Sequence, residues 1–180
     1  MSKTNLVLGS VLLLLAACGT EPAPSAAGPL GKPGDKGTLC VPADAAGRAT
    51  DGFNALHNKD TRAVTISAVE LAASRNLQVT AAYIVPVANS TLLGVFGGVY
   101  PNPQTPPQPG WERRVPAVGA SVPQAGQGPD SNLVLEMKLV DSAVAGSAAG
   151  LRLRYRVEGK SFRWSSPVAI RIVPHTAQCA

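Results

Sequence analysis

The sequence has little of the chemistry that most enzymes and metalloproteins require. Its 180 residues include only two histidines, His57 and His175, and two methionines. They contain no H-E-x-x-H zinc pattern, no EF-hand loop, no P-loop and no G-x-S-x-G nucleophile elbow. Each histidine is best interpreted as a surface residue. We therefore predict no catalytic residue, no metal site and no cofactor, and expect that the protein is not an enzyme.

Aromatic residues and helical periodicity are also scarce. Aromatics make up 4% of the chain, and apolar residues repeat at a period of two far more often than at the period of a helix. The charge is modestly basic, with 16 Lys and Arg against 11 Asp and Glu. Such a small excess, without a basic run, argues against nucleic acid as a partner.

The first 17 residues have the layout of a secretory signal. Lys3 supplies a positive charge, and an apolar stretch then runs from Leu6 to Ala17. A helix of that length covers about 18 Å, well short of the roughly 30 Å of a hydrocarbon core. We therefore predict a cleaved signal peptide at residues 1–17 rather than a membrane span.

The four residues Leu15-Ala16-Ala17-Cys18 end that stretch and resemble the lipobox of bacterial lipoproteins. The resemblance implies that Cys18 carries covalent lipid and becomes the first mature residue, because two or more acyl chains hold a protein stably on a membrane. It also implies an extracytoplasmic address on the cell membrane or, in a host that has one, the outer membrane. The alternative is a soluble secreted protein in which Cys18 follows the cleavage site by coincidence.

Lipid on Cys18 leaves two cysteines in an oxidising compartment. We predict that Cys40 and Cys179 form one disulfide that joins the start of the folded domain to its end. A metal site or a reactive thiol pair is the alternative, but there is no C-x-x-C spacing to support either.

The mature chain divides into a tether and one domain. Residues 18–38 are rich in proline and glycine and poor in large apolar side chains, so we predict a disordered tether there. The folded domain is expected at 39–180. It contains a long Pro/Gly-rich loop at about 100–131, which a compact domain keeps only if the loop is functional or mobile. Trp111 in this loop is expected to anchor it to the domain, with a role in partner contact as the alternative.

Alternating apolar and polar residues predict several short strands and little else. Residues 64–71 and 77–87 form two neighbouring runs that we expect to pair, and a shorter strand is expected within residues 92–99. Four further runs, at about 133–140, 151–158, 162–165 and 168–172, predict consecutive antiparallel neighbours. The fold class is therefore all-β, a single antiparallel β-sandwich with a generic resemblance to the immunoglobulin-like sandwiches of bacterial envelope proteins.

One group of basic residues stands out on the predicted strands. If the last four runs are neighbours in one sheet, their outward positions form a cationic patch that Glu136 and Glu158 partly neutralise. The predicted patch comprises Lys138, Arg152, Arg154, Arg156, Arg163 and Arg171. It is either a contact surface for an anionic partner or a solvated face that protects an edge strand.

The sequence therefore predicts a lipid-anchored, non-catalytic binding or assembly module of the cell envelope. Its partners are the membrane, through the lipid, and either an anionic envelope component or an envelope protein. The alternative is an envelope enzyme or solute-binding protein with a site near the 100–131 loop and His57. A domain that serves only as a spacer is a third possibility.

Overall fold

A computed structural model describes residues 28–31 and 34–179. The predicted signal peptide, the lipobox with Cys18 and the first part of the tether lie outside the described residues. The described chain is all-β and confirms the predicted fold class: strands dominate it, and its one helical element is a short 3-10 turn. In chain order the elements are β1 (Gly37–Pro42), β2 (Arg48–Leu56), β3 (Val64–Ala72), β4 (Leu77–Pro86), β5 (Val95–Gly97), the 3-10 turn η1 (Trp111–Arg113), β6 (Val115–Pro116), β7 (Ser121–Val122), β8 (Ser131–Leu139), β9 (Gly146–Ala148), β10 (Gly150–Val157), β11 (Lys160–Ser166) and β12 (Val168–Val173).

The strands form three sheets. The β8 sheet has the order β5-β2-β8-β4-β6, the β10 sheet has the order β11-β10-β3-β7, and the β12 sheet has the order β1-β12-β9. The strand pairs are antiparallel with one exception, because β1 runs parallel to β12. This parallel pair departs from the purely antiparallel sandwich that the sequence predicted.

One hydrophobic core joins the sheets. The inner faces of β8 and β10 contribute its largest members, which are at most 1% exposed. These residues are Leu133, Leu135, Met137, Leu151, Leu153 and Tyr155. Burying a side chain of this size contributes roughly 1.5–3 kcal/mol relative to leaving it in water, so the two sheets are held face to face by this layer.

The predicted pairing of the runs at residues 64–71 and 77–87 is wrong. Strand β3 pairs with β10 and β7, whereas β4 pairs with β8 and β6. The connection between them turns through Ala73 and Asn76, both with left-handed backbone, and Arg75 in between bridges to Ser147 of β9. The chain therefore crosses from one sheet to the other, which lets each strand bury its apolar face against the opposite sheet.

The predicted row of four neighbouring strands is also wrong, except for its middle pair. Strands β10 and β11 form a hairpin whose turn is Glu158-Gly159, both at positive φ. Strand β8 belongs to the sheet across the core, and β12 pairs with β1 and β9 in the third sheet.

A bulge in β4 reverses the side chains that the sequence placed on one face. The alternation predicts a single apolar face made of Leu77, Val79, Ala81, Tyr83, Val85 and Val87. The register with β8 shifts between Val79 and Ala81. Leu77 consequently faces the main core, whereas Tyr83 and Val85 pack on the outer side of the sheet. An inserted residue has this effect because successive side chains in a strand point to opposite faces.

The long loop packs on that outer side and builds a second, aromatic core. Tyr100 and Trp111 are 1% and 5% exposed, and their rings meet edge to face with centroids 4.8 Å apart. Val134 of β8 and Val85 of β4 complete the floor of this cluster. Trp111 is therefore a structural anchor. The same loop contributes two short strands, β6 and β7, which join different sheets.

The folded domain begins earlier than the predicted boundary at residue 39. Leu30 is 5% exposed, and its backbone neighbours pair with residues 57–59. Strand β1 then starts at Gly37. Residues 28–31 and 37–38 therefore belong to the domain, because the first segment buries a leucine and the second pairs with β12.

The predicted disulfide between Cys40 and Cys179 is present, with the two Cα atoms 5.8 Å apart and 139 residues between them in sequence. Strand β1 carries Cys40, and the parallel neighbour β12 brings the C-terminal residues to it. The bond therefore closes nearly the whole domain into one covalent loop.

Breaking this loop should destabilise the domain, because the cross-link restricts a long segment of the unfolded chain. We expect reduction, or the double substitution C40S/C179S, to lower the free energy of unfolding by about 4–5 kcal/mol in chemical denaturation. Added reductant should leave the double variant unchanged. Free thiols at both positions in the unreduced, folded protein would contradict the assignment.

Candidate functional site

The most distinctive surface of the described domain is the outer side of β10 and β11. Leu153 and Tyr155 of β10 point into the core, so the arginines that alternate with them point outward. The same rule places Trp164 of β11 inside and Arg163 outside. We call the outward set Arg152, Arg154, Arg156 and Arg163 the arginine face.

Two of the six predicted patch residues lie elsewhere. Lys138 is exposed on β8, where it pairs with Arg48 and Gln78 on the far side of the core from the arginine face. Arg171 is exposed on β12, in the third sheet. The sequence prediction failed for these two because it assumed that β8 and β12 flank the β10–β11 hairpin.

The acidic residues near the arginine face also differ from the prediction. Glu136 lies on β8, and Glu158 binds Arg62 instead, with Oε2 2.7 Å from Nη1. The acid that does meet the face is Glu70 of β3, whose Oε1 lies 2.7 Å from Nη2 of Arg154. This pair is half-exposed, so we assign it little stability. It does offset the repulsion between Arg154 and Arg163, which lie directly opposite each other.

Arg152 and Arg163 keep capacity for an external anion. Within residues 28–31 and 34–179, no ion pair engages Arg152 or Arg163, and both are exposed. The cross-strand neighbours of Arg152 are Ser165 and Glu70. The cross-strand neighbour of Arg163 is Arg154. Guanidinium groups bind phosphate and carboxylate oxygens through paired N–H donors. The exposed, unpaired guanidinium groups of Arg152 and Arg163 therefore make this face suited to an anionic partner.

A second candidate site is a cleft of about 610 Å³ at one end of the β8 sheet. Its polar lining includes His57, Asn89, Ser90 and Asp130, and Nδ1 of His57 lies 2.9 Å from Oδ1 of Asp130. The register explains this pair. Leu56 at the end of β2 lies opposite Ser131 at the start of β8, so the residues just beyond them meet.

The carboxylates nearest to His57 in sequence, Asp51 and Asp60, are not its partners. Asp51 is buried within β2, and Asp60 forms a two-point contact with Arg62 that lowers the pKa of Asp60 to about 2. Asp130 lies 73 residues along the chain from His57, and no local pattern marks it. Only the pairing of β2 with β8 identifies it.

A buried polar network shapes one wall of this cleft. Strand β2 bulges between Asp51 and Asn54, and the side chain of Asn132 fills the gap. Its amide donates to the carbonyls of Gly52 and Asn54 at 2.9 and 3.1 Å and accepts from the N–H of Leu93 at 2.9 Å. Through Leu93 the network holds the segment after Ser90 in place. It therefore fixes a wall of the cleft, although Asn132 itself does not line the cavity.

The other sequence candidates supply no chemistry. His175 is exposed after β12. Across the described ranges, no three His, Cys, Asp or Glu side chains are grouped to hold a metal ion. In the same part of the chain, no helix has the length and apolar character needed to cross a membrane.

No known protein family matches the chain, and no curated protein matches it. The physical properties of the arginine face and the cleft therefore carry the functional argument.

Asp51 should contribute more to the stability of the domain in acid than at neutral pH. Burial raises the pKa of this carboxyl, although the N–H of Phe53 and the amide of Asn54 donate to it and oppose the shift. A raised folded-state pKa means that the stabilising neutral form is lost as pH rises above the ordinary value of 3.8 and through the folded value. We therefore expect D51N to raise the melting temperature at pH 7 and to lose this part of the pH dependence.

Asp44 provides a control, because its contribution to stability should change with pH in the opposite direction. Burial alone would raise its pKa, but hydrogen bonds and charge from Arg48 lower it overall. Its contribution is present above the ordinary value of 3.8 and disappears as pH falls below it. We expect D44N to lower the melting temperature at pH 7. A decrease for D51N at that pH would contradict the assignment for Asp51.

Proposed function

We propose that this protein is a lipid-anchored, extracytoplasmic binding module that contacts an anionic partner through its arginine face. Lipid on Cys18 fixes the location, and the β-sandwich presents the surface. The observation that carries the proposal is the exposed pair Arg152 and Arg163, which have no ion-pair partner in the described chain. If this face were only a solvated surface that protects an edge strand, we would expect more acidic residues beside its arginines, because repulsion among like charges costs stability.

The proposed address rests on the sequence pattern around Leu15-Ala16-Ala17-Cys18. The domain architecture agrees with it, since a disulfide that links Cys40 to Cys179 suits an oxidising compartment. The same bond engages both cysteines of the domain, which leaves Cys18 as the thiol available for lipid.

A second candidate function is binding or hydrolysis of a small solute in the cleft. The observation in its favour is that Ser90, His57 and Asp130 line one cavity. A serine nucleophile needs a hydrogen bond to its base. Within the described residues, His57 bonds Asp130 and makes no hydrogen bond to Ser90. The arrangement therefore supports solute binding better than hydrolysis.

Lipidation can be tested in cells of the native host with a clickable palmitate analogue. We expect the wild-type protein to incorporate label and to sediment with membranes. C18S should incorporate none, because the thiol that receives the lipid is gone. C40S/C179S is the control for loss of a cysteine elsewhere, and it should still be labelled. Equal labelling of C18S and the wild type would contradict the proposal.

Partner contact can be tested by cross-linking in intact cells. We expect R152E/R163E to lose the anionic material that the wild type captures, because reversing both charges changes attraction into repulsion. The control K138E/R171E changes net charge equally on the other two sheets and should capture as the wild type does. Unchanged capture by R152E/R163E, or equal loss by both variants, would remove the arginine face from the proposal.

A further inference from the structure

We propose that the arginine face rests on the anionic phospholipid headgroups of the same membrane that holds Cys18. This inference depends on the proposed lipidation and names the partner of the proposed binding surface. Three features of the described domain carry it: the place where the chain joins the fold, the reach from there to Cys18, and the shape and charge of the face.

The chain joins the domain at the edge of the sheet that carries the arginine face, on the core side of that sheet. Gly28 lies against Tyr155 and Phe162, and a Cβ on this glycine would come within 2.9 Å of Cδ1 of Phe162. Phe162 stacks on Tyr155 with ring centroids 5.6 Å apart. Arg163 directly follows Phe162 on the edge strand β11. The point of attachment and the arginine face therefore share one edge of the β10 sheet.

This position is held by specific contacts. The N–H of Gly31 donates to the carbonyl of His57, and the N–H of Lys59 donates to the carbonyl of Pro29, both at 2.9 Å. The indole Nε1 of Trp164 donates to the carbonyl of Gly31 at 2.9 Å. The first two bonds tie residues 28–31 to residues 57–59, and the third ties them to β11, the strand that carries Arg163.

The reach from this point is short. Ten residue steps separate Cys18 from Gly28, so the link spans at most about 35 Å even when fully extended. A short link keeps a second binding surface at a high effective concentration near the first. The anchor therefore holds the arginine face within reach of the headgroup layer.

The face itself fits a planar, negatively charged surface. Successive arginines on β10 are about 7 Å apart along the strand, and the hairpin places Arg163 beside them. Their neighbours Ser165 and Thr65 are short. The guanidinium groups consequently project furthest from the sheet and can meet several phosphates at once.

The outer side of the β8 sheet is a poorer membrane surface. The aromatic cluster of Tyr100 and Trp111 covers part of it. Glu112 and Glu136 add negative charge there, and Arg114 stacks over the Trp111 ring at 4.6 Å from its centroid. Cations lie on this side too, but Arg48 is paired with Asp44 and Arg113 with Glu112. Within the described residues Arg152 and Arg163 have no such partner, so we expect the arginine face to turn toward the anchor membrane.

The first test measures how the arginine face binds vesicles in a chain that has no lipid anchor. The chain from residue 18 onward with C18S is mixed with vesicles of equal parts phosphatidylglycerol and phosphatidylcholine, or of phosphatidylcholine only, and sedimented. We expect binding to the anionic vesicles that falls steeply with salt. R152Q/R163Q should bind about 25-fold more weakly, since each arginine near an anionic surface contributes about fivefold. K138Q/R171Q, with the same net charge, should bind as the parent does.

The second test measures orientation in the anchored protein. The full-length protein is reconstituted in the same vesicles with a fluorescent label on S165C, on the arginine face, or on Q78C, which lies opposite Lys138 on β4. We expect headgroup-linked quencher to reduce the S165C signal more than the Q78C signal in anionic vesicles. R152Q/R163Q should abolish the difference.

The outcomes separate this inference from the lipidation on which it rests. If Cys18 carries no lipid, the full-length protein will not associate with phosphatidylcholine vesicles, while sedimentation of the C18S chain still measures the face. Equal binding of the C18S chain to both vesicle types would overturn the inference. So would equal weakening by the two double variants, or arginine-dependent capture of an acidic protein in cells without arginine-dependent vesicle binding.

Discussion

The structure depends on one constraint: the β8 and β10 sheets must bury their apolar faces against each other. Leu133 and Leu135 meet Leu153 in a layer that water does not reach. Because side chains alternate along a strand, this burial forces Arg152 and Arg154 to the opposite side of β10. The core and the arginine face are therefore two consequences of one alternating pattern.

The same constraint explains where the chain departs from simple alternation. Bulges in β2 and β4 shift the register against β8 and move side chains from one face to the other. In β4 the shift delivers Tyr83 to the outer side, where the long loop covers it with Trp111. In β2 it opens the gap that Asn132 fills. Each bulge adds a surface feature while the core stays continuous.

Much of the candidate surface could be predicted from sequence. The runs around residues 151–157 and 160–166 are local, and their short turn makes them neighbours, so the positions of Arg152, Arg154, Arg156 and Arg163 followed directly. Lys138 and Arg171 did not, because the partners of β8 and β12 are distant in sequence. The pairing of His57 with Asp130 was invisible for the same reason, since a residue at a strand end carries no mark of the strand it will meet.

The sequence by itself determined the all-β character of the chain, the cysteines available for a disulfide and which side chains of each regular strand point inward. These properties follow from local alternation and composition, which need no knowledge of distant contacts. Only the tertiary structure decided the strand order, the docking of residues 28–31 beside β11 and the side of the sandwich that stays cationic. Those depend on which apolar faces bury each other, and that choice is settled by packing across the whole domain.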